Sequence, residues 1–474
     1  MDTDCSVGQL ELQGFGAGRR RVRVNFDGGT LSSDGGVVLL AEVERQRRIL
    51  ERFADCFVDH RDAEALEHPV ADLVAQRVYG LALGYEDLND HDELRLDPLL
   101  AAVVGKADPT GAERRCERDR GKPLAGKSTL NRLEGGIGTD PVQDTYKRVG
   151  VETEAVERLY VELFLEAYDD PPDEVVLDLD ATDDPLHGQQ EGRFFHGYYG
   201  CYCYLPLYIF CGQHLLCAKL RRSNIDASAG ALQEVERIVG QIRERWPAVR
   251  IILRGDSGFA RDELMSWCEA NDTHYVFGLA RNGRLERAIE AELAEAKRRS
   301  EISGEAERIF KNFTHRTLNS WNRSRRVVGK AEHLPGGRNP RYVVTSLSKD
   351  KIAASVLYED LYCARGDMEN RIKEQQMALF ADRTSAHSMR VNQLRLWFSS
   401  VAYVLMAELR RLGLADTVLA RAQCDTIRLK LLKVGARVRV SCRRVWVMLS
   451  SAYPHKTVFL QIFGHLQPSR GSPA

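Results

Sequence analysis

No stretch of this 474-residue chain is apolar enough to cross a membrane. The most apolar helix candidate, residues 394–409, is interrupted by Arg395, Ser399, Ser400 and Glu408 and falls short of the ~20 apolar residues that a span requires. A secretory signal is missing too: residues 1–12 are polar and acidic, so a cytoplasmic location with reduced thiols is the expectation. The eleven cysteines form an odd set. The cluster Cys201, Cys203, Cys211 and Cys217 contains no Cys-x-x-Cys pair, which argues for small buried hydrophobes on strands rather than a zinc site. Net charge is also nearly absent, at −1. That balance hides an asymmetry. From Arg383 onward there are 15 Lys and Arg against 3 Asp and Glu, a net of +12, which leaves −13 (52 minus 65) for the rest. A basic C-terminal fifth on a neutral protein points to a polyanion partner held locally.

The remaining composition, 43% hydrophobic and 28% charged, is that of a globular protein of two or three domains. A basic arm (1–36) carries an alternating strand over 19–26 followed by Gly- and Asp-rich turns. Residues 37–170 read as helical, a natural place for a DNA-end-binding module, although no segment gives a clean helix-turn-helix, and support for a catalytic core is an equal alternative. Tandem proline at Pro171-Pro172 after Asp169-Asp170 cannot continue a helix and marks a boundary. Over 171–382 the order is strand (175–180), strand (200–211), strand (214–221), helix (229–245), strand (249–255), helix (261–270), strand (274–280) and helix (283–299). A β-rich insertion at about 300–350 follows, and then a long helix beginning near Ala353. The last segment, 383–474, holds another helix and a basic strand pair around Gly435.

Three acidic residues stand where such a scaffold presents metal ligands. Asp180 closes the apolar run 175–180, and Asp256 closes the run 249–256 ahead of Ser257-Gly258-Phe259. Glu369 lies in the long helix. Two carboxylates at strand ends and one on a later helix can converge on a pair of divalent cations, the arrangement that activates water and stabilises a leaving oxygen in phosphodiester chemistry. Tyr362, Arg365, Glu369, Lys373 and Gln376 fall at offsets 0, 3, 7, 11 and 14, so at about 3.6 residues per turn they share one face. That face suits phosphate better than a core. Asp178 and Asp180 alternate onto the same face of their strand; either can be the first ligand, with the following Ala181-Thr182 favouring Asp180 and leaving Asp178 a supporting role. Asp183 and Asp184 are expected in a solvated turn.

At these residues the chain resembles the DDE transposases of bacterial insertion sequences, in the cut-and-paste group with a Tyr-Arg-Glu-Lys signature. Tyr362, Arg365 and Glu369 match its first three members in identity and spacing. The fourth position holds Gln376, and Lys373 stands one turn earlier as the available ammonium. Asp180-Ala181-Thr182 and Asp256-Ser257-Gly258-Phe259 resemble the first and second catalytic blocks. The resemblance implies an α/β, RNase H-like mixed-sheet core with a β insertion, in which the first and fourth strands lie side by side. It implies Asp180, Asp256 and Glu369 holding two Mg²⁺ ions, with Mn²⁺ as a substitute, and Tyr362, Arg365 and Lys373 positioning DNA phosphates. It further implies a nucleoid-associated homodimer on double-stranded DNA, cutting transposon ends and joining the 3′-OH to target DNA without ATP. A nuclease of the same fold that does not join, and an inactive DNA-binding derivative, are the alternatives.

Three other motifs invite rival readings. The segment 121–128 matches the phosphate-loop pattern G-x-x-x-x-G-K-[ST] letter for letter, but residues 114–120 are too charged for the core strand that pattern needs, and Pro123 interrupts it. Ser128 or Thr129 is expected as a helix N-cap instead. Trp321, flanked by polar and basic residues in the insertion, suits stacking on an unpaired base, as the resembling hairpin-forming relatives use such an aromatic, or packing in the insertion's own core. His187 and His196 read as structural or substrate-side rather than as metal ligands.

Overall fold

The computed structural model describes residues 10–17, 20–135 and 148–467, with side chains from residue 24 onward; Cys5 and Arg19 fall outside this set. The chain divides into two units, each assembled from separated stretches. One takes the chain up to Arg48, Arg61–Leu133 and everything from Glu408; the other takes Ile49–His60 and Glu134–Ala407. The basic C-terminal segment is split at Glu408, and most of it folds with residues from the N-terminal third.

The second unit is organised on a nine-stranded mixed sheet. Its strands in chain order are β1 (Glu174–Ala181), β2 (Leu207–Cys211), β3 (His214–Lys219), β4 (Arg250–Gly255), β5 (His274–Leu279), β6 (Glu307–His315), β7 (Arg325–Leu334), β8 (Gly337–Arg338) and β9 (Arg341–Thr345). Their order across the sheet is β3-β2-β1-β4-β5-β9-β7-β6, with β8 paired to β7. β1, β4 and β5 run parallel, while β2, β3 and the insertion strands are antiparallel to their neighbours. The first five strands thus take the 3-2-1-4-5 order of an RNase H-like core, and the insertion extends the same sheet from β5 rather than forming a separate layer.

The expected strand over 200–211 is two strands. Pro206 has no N–H to continue a ladder; before it, Cys201–Tyr204 pairs with Phe194–His196 and Asp184–Pro185 in a small second sheet, and after it β2 joins the core. Cys203, Cys211 and Cys217 are buried, and burial pushes the Cys211 thiol up to about 12.

Period-two alternation divides the core sheet into two faces. Val175, Leu177, Leu179, Ile251 and Leu253 point to one face and pack with Val161 and Phe164, Val235 and Ile238, and Leu264 and Met265, which lie on the helices Thr153–Leu165, Ala231–Arg245 and Asp262–Ala270. Val176, Ile252, Val276, Val328 and Val343 point to the other, where Leu357, Tyr358 and Tyr362 cover them. Asp178, Asp180, Arg254 and Asp256 share the parity of this second face. Burying the apolar residues of β1 and β4 on both sides therefore directs these four polar side chains towards the segment that carries Glu369.

In the first unit, Leu31–Ser32, Ala436–Ser441 and Arg444–Leu449 form a three-stranded sheet, and helices Val37–Arg47, Val70–Leu83 and Pro98–Val104 supply buried apolar side chains. Residues 121–128 contain no phosphate loop of the usual build. Glu117–Asp119 before them is a 3-10 turn, not a strand. The helix Lys127–Glu134 begins one residue before Ser128, and its first N–H is capped from elsewhere: Lys127 N donates to Asp92 Oδ1 at 3.1 Å. The Lys127 ammonium pairs with the same carboxylate at 3.3 Å.

Candidate active site

β1 and β4 are parallel neighbours in which Leu179 pairs with Gly255. Asp180 follows Leu179 on β1 and Asp256 follows Gly255 just past the end of β4, so the two carboxylates leave adjacent strand ends with the same parity. Beyond Asp256 the chain turns at Ser257-Gly258, and the Gly258 N–H donates back to Asp256 Oδ1 at 2.8 Å.

The segment across these strand ends is continuous but not a regular α-helix. It runs as an α turn (Ala354–Val356), a π segment (Leu357–Tyr362), a 3-10 turn (Cys363–Arg365), an α-helix (Gly366–Lys373) and a second π segment (Glu374–Ala378). Insertions of this kind are common at functional sites, because they re-aim side chains that a uniform 3.6-residue repeat would place elsewhere. Arg365 reaches across to the sheet. Its Nη1 donates to Asp180 Oδ1 at 3.4 Å and its Nη2 to Glu369 Oε1 at 2.5 Å. One guanidinium thus ties the strand-end carboxylate to the helix carboxylate.

The electrostatics match this geometry. Burial pushes the Asp180 carboxyl up to about 6; Arg365 opposes this, and the negative charges of Asp256 and Glu369 add to it. Burial acts to lower the Arg365 pKa, but Asp180 and Glu369 outweigh it and hold the guanidinium above its ordinary value. Tyr362 is raised by burial, with Arg365 opposing and Asp256 contributing. Its hydroxyl therefore lies in the field of Arg365 and Asp256.

Of the five residues expected on one stripe, Tyr362, Arg365 and Glu369 converge here. Gln376 joins them by donating from Nε2 to the Asp183 carbonyl at 3.1 Å, just past the end of β1. Lys373 is exposed, and its ammonium has no ion-pair partner among the described residues. Asp178 does not face an open site: it is 3% exposed and held by Arg254, whose Nε and Nη2 donate to its two oxygens at 2.5 and 2.7 Å.

Two residues escaped the sequence reading. Arg254, besides clamping Asp178, donates from Nη1 to the Leu361 carbonyl at 2.5 Å, fastening the Tyr362 end of the long segment to β4. A charged residue inside an apolar strand run was the available signal. Gly278 on β5 is the second: a Cβ there would lie 2.5 Å from the Tyr362 hydroxyl, so only glycine leaves room for that ring.

Two expectations are corrected. Asp184 is buried, not solvated; it accepts a hydrogen bond from Thr384 Oγ1 at 2.8 Å, and burial raises its pKa well above the carboxylate range. The short strand Asp184–Pro185 pairs with Cys203 and Tyr204 and draws it inward. Trp321 is 4% exposed and belongs to the main core. His315 packs edge-on at 5.8 Å and the Arg325 guanidinium lies 5.5 Å from its ring centre. No ring face is open to a base, and packing is the role it plays. His187 is exposed, and the His196 ring lies tilted against Tyr199 with centroids 4.8 Å apart.

Among the described residues no three His, Cys, Asp or Glu side chains stand close enough to hold a metal ion. The Arg365 guanidinium lies against both Asp180 and Glu369. The donor set nonetheless fits a hard divalent cation: the available atoms are carboxylate oxygens, and the charges of Asp256 and Glu369 add to the burial that raises the Asp180 carboxyl.

The family model described as "Transposase DDE domain group 1" matches residues 16–471. No curated protein matches the chain. Among solved structures, the cryo-EM structure of the piggyBac transposase synaptic complex with hairpin DNA is similar at 11% identity and a TM-score of 0.40, covering 94% of this chain and 87% of that one. That likeness is too weak to bear on the site, whereas the family match spans nearly the whole sequence. The chain belongs to the DDE transposase family, domain group 1.

Proposed function

We propose that this transposase cuts DNA at transposon ends and joins the freed 3′-OH to target DNA, with Asp180, Asp256 and Glu369 as the metal-holding carboxylates. The observation that carries the reading is the convergence of Asp180, Asp256, Arg365 and Glu369 at the ends of two adjacent parallel strands. Held by the three carboxylates, a pair of Mg²⁺ or Mn²⁺ ions would supply water activation and leaving-group stabilisation for in-line displacement at phosphorus.

The chain's own residues do the rest. Arg365 serves as an internal counter-ion that keeps the carboxylates together. Once they are neutralised otherwise, its guanidinium is free to turn to a DNA phosphate. Tyr362, braced by Gly278, forms a wall of the site, and Gln376 fixes the loop after β1 through the Asp183 carbonyl. Arg254 and Asp178 set the distance between sheet and helix. Two ends have to be joined, which fits a homodimer on DNA. The test is a Mg²⁺-dependent cleavage and joining assay on DNA carrying the ends that flank the gene. Cleavage with joining supports the proposal, and cleavage without joining reduces it to a nuclease. Binding without either leaves only a DNA-binding derivative.

A further inference from the structure

The first unit carries a surface that the active site does not account for. Ala436–Ser441 and Arg444–Leu449 form an antiparallel hairpin, closed at Cys442-Arg443 and by the Ser441 hydroxyl donating to the Arg444 carbonyl at 2.9 Å. The third strand, Leu31–Ser32, pairs with Ala436 and Arg437, and the Val438 N–H donates to the Thr30 carbonyl at 2.9 Å, so beyond Val438 the hairpin continues as a two-stranded ribbon. Alternation sorts its side chains. Ala436 and Val438 are buried, whereas the cross-strand pairs Arg437–Met448, Arg439–Trp446 and Ser441–Arg444 are all exposed on the opposite face. Trp446 is 50% exposed, with the Arg444 guanidinium 5.7 Å from its ring centre.

The charge on this face is unbalanced. Arg437, Arg439, Arg443 and Arg444 have no ion-pair partner among the described residues. The stretch after Asp425 contains nine Lys and Arg and no Asp or Glu. A tryptophan left half in water among unpaired guanidiniums is a costly way to finish a solvated surface, since apolar area exposed to water costs about 25 cal/mol per Å². It is an economical way to meet a polyanion that also offers flat apolar edges. A two-stranded ribbon fits the major groove of duplex DNA, which is about 12 Å wide. A cleft of about 580 Å³ lined by Arg437, Arg439, Met448, Leu96, Pro109 and Thr110 deepens the same surface.

We infer that the exposed face of the 436–449 hairpin is a duplex-DNA contact, in which Arg437, Arg439 and Arg444 meet phosphates and groove edges while Trp446 and Met448 make apolar contact with the bases. The inference rests on the transposase reading for its choice of polyanion, but concerns a surface separate from the carboxylate site.

The experiment is fluorescence anisotropy of the full-length protein on a labelled mixed-sequence duplex over a range of KCl. It compares wild type, Arg437→Gln/Arg439→Gln and Trp446→Ala, and adds a Mg²⁺ cleavage assay on end-containing DNA. Each lost phosphate contact removes about 0.9 from the slope of log K against log [salt], so the double variant is expected to lose about twice that. Trp446→Ala is expected to weaken binding several-fold with the slope kept. Thermal melting is expected to stay unchanged, because all three side chains are exposed. An unchanged Kd and slope in the double variant overturns the inference, and if wild type still cleaves, the transposase reading stands without it. Binding lost with the hairpin substitutions, in a wild type that cleaves nothing, supports the ribbon and removes the chemistry. If the substitutions instead abolish binding to phosphatidylserine vesicles and leave DNA binding intact, the surface is a membrane contact and the inference fails.

Discussion

Replacing Arg254 by methionine removes the guanidinium that clamps Asp178. Asp178 is 3% exposed and accepts two charge-assisted hydrogen bonds from Arg254, at 2.5 and 2.7 Å. The variant leaves a buried carboxylate unpaired, a change that costs about 3–5 kcal/mol when one partner of a buried pair is removed. It also frees the Leu361 carbonyl, adding about 1 kcal/mol for a buried acceptor left without a donor. The expected loss is thus about 4–6 kcal/mol by urea denaturation of the catalytic unit.

The pH dependence has a definite sign. Burial already holds the Asp178 carboxyl above its ordinary range even with Arg254 opposing, and without Arg254 it rises further. A raised folded-state pKa favours folding below the unfolded value and loses that contribution as pH rises through the folded value. The deficit of Arg254→Met is therefore largest at neutral pH and shrinks on acidification through the carboxylate range. Adding Asp178→Asn removes the stranded charge and should recover most of the stability. The double variant still lacks the Leu361 anchor, so DNA cleavage should stay reduced. A deficit below about 1 kcal/mol, the value of a surface pair, would refute the reasoning. So would a deficit that grows on acidification, or a failure of Asp178→Asn to rescue.

Asp180→Asn, Asp256→Asn and Glu369→Gln should each abolish Mg²⁺-dependent strand cleavage while end-DNA binding persists in a gel-shift assay; full cleavage by any one removes that residue from the site. Gly278→Ala should lower cleavage through displacement of Tyr362, and Tyr362→Phe in the same background should recover part of it, since the added methyl meets the Tyr362 hydroxyl first. Trp321→Ala should cost about 3–5 kcal/mol of stability, as emptying a buried aromatic site does, with DNA affinity of the folded protein unchanged; lost affinity at full stability would restore the stacking role. Lys127→Ala should leave strand transfer intact and reveal no saturable ATP binding, because that ammonium is engaged with Asp92 and Asn89.

What the sequence determined by itself is local and periodic. Apolar runs ending in Asp180 and Asp256, and a later helical stretch bearing Tyr362, Arg365 and Glu369, are patterns of neighbouring residues, and the family resemblance they carry implied that the first and fourth strands lie side by side. The charge excess after Arg383 was equally legible, because it needs only counting. What the tertiary structure decided depends on partners far apart in the chain. That Arg254 clamps Asp178, that Gly278 clears room for Tyr362, and that Gln376 rather than Lys373 reaches the end of β1 all follow from which elements are stacked across the sheet. Burial of Trp321 and Asp184 belongs here too, since a polar neighbourhood in sequence says nothing of which side chains the fold turns inward. The π segments around Glu369 are the sharpest case. A uniform helical repeat was the only reading the residues allowed, and packing against the strand ends changed it, because meeting Asp180 through Arg365 and satisfying Arg254 through Leu361 are demands made by the sheet and not by the helix.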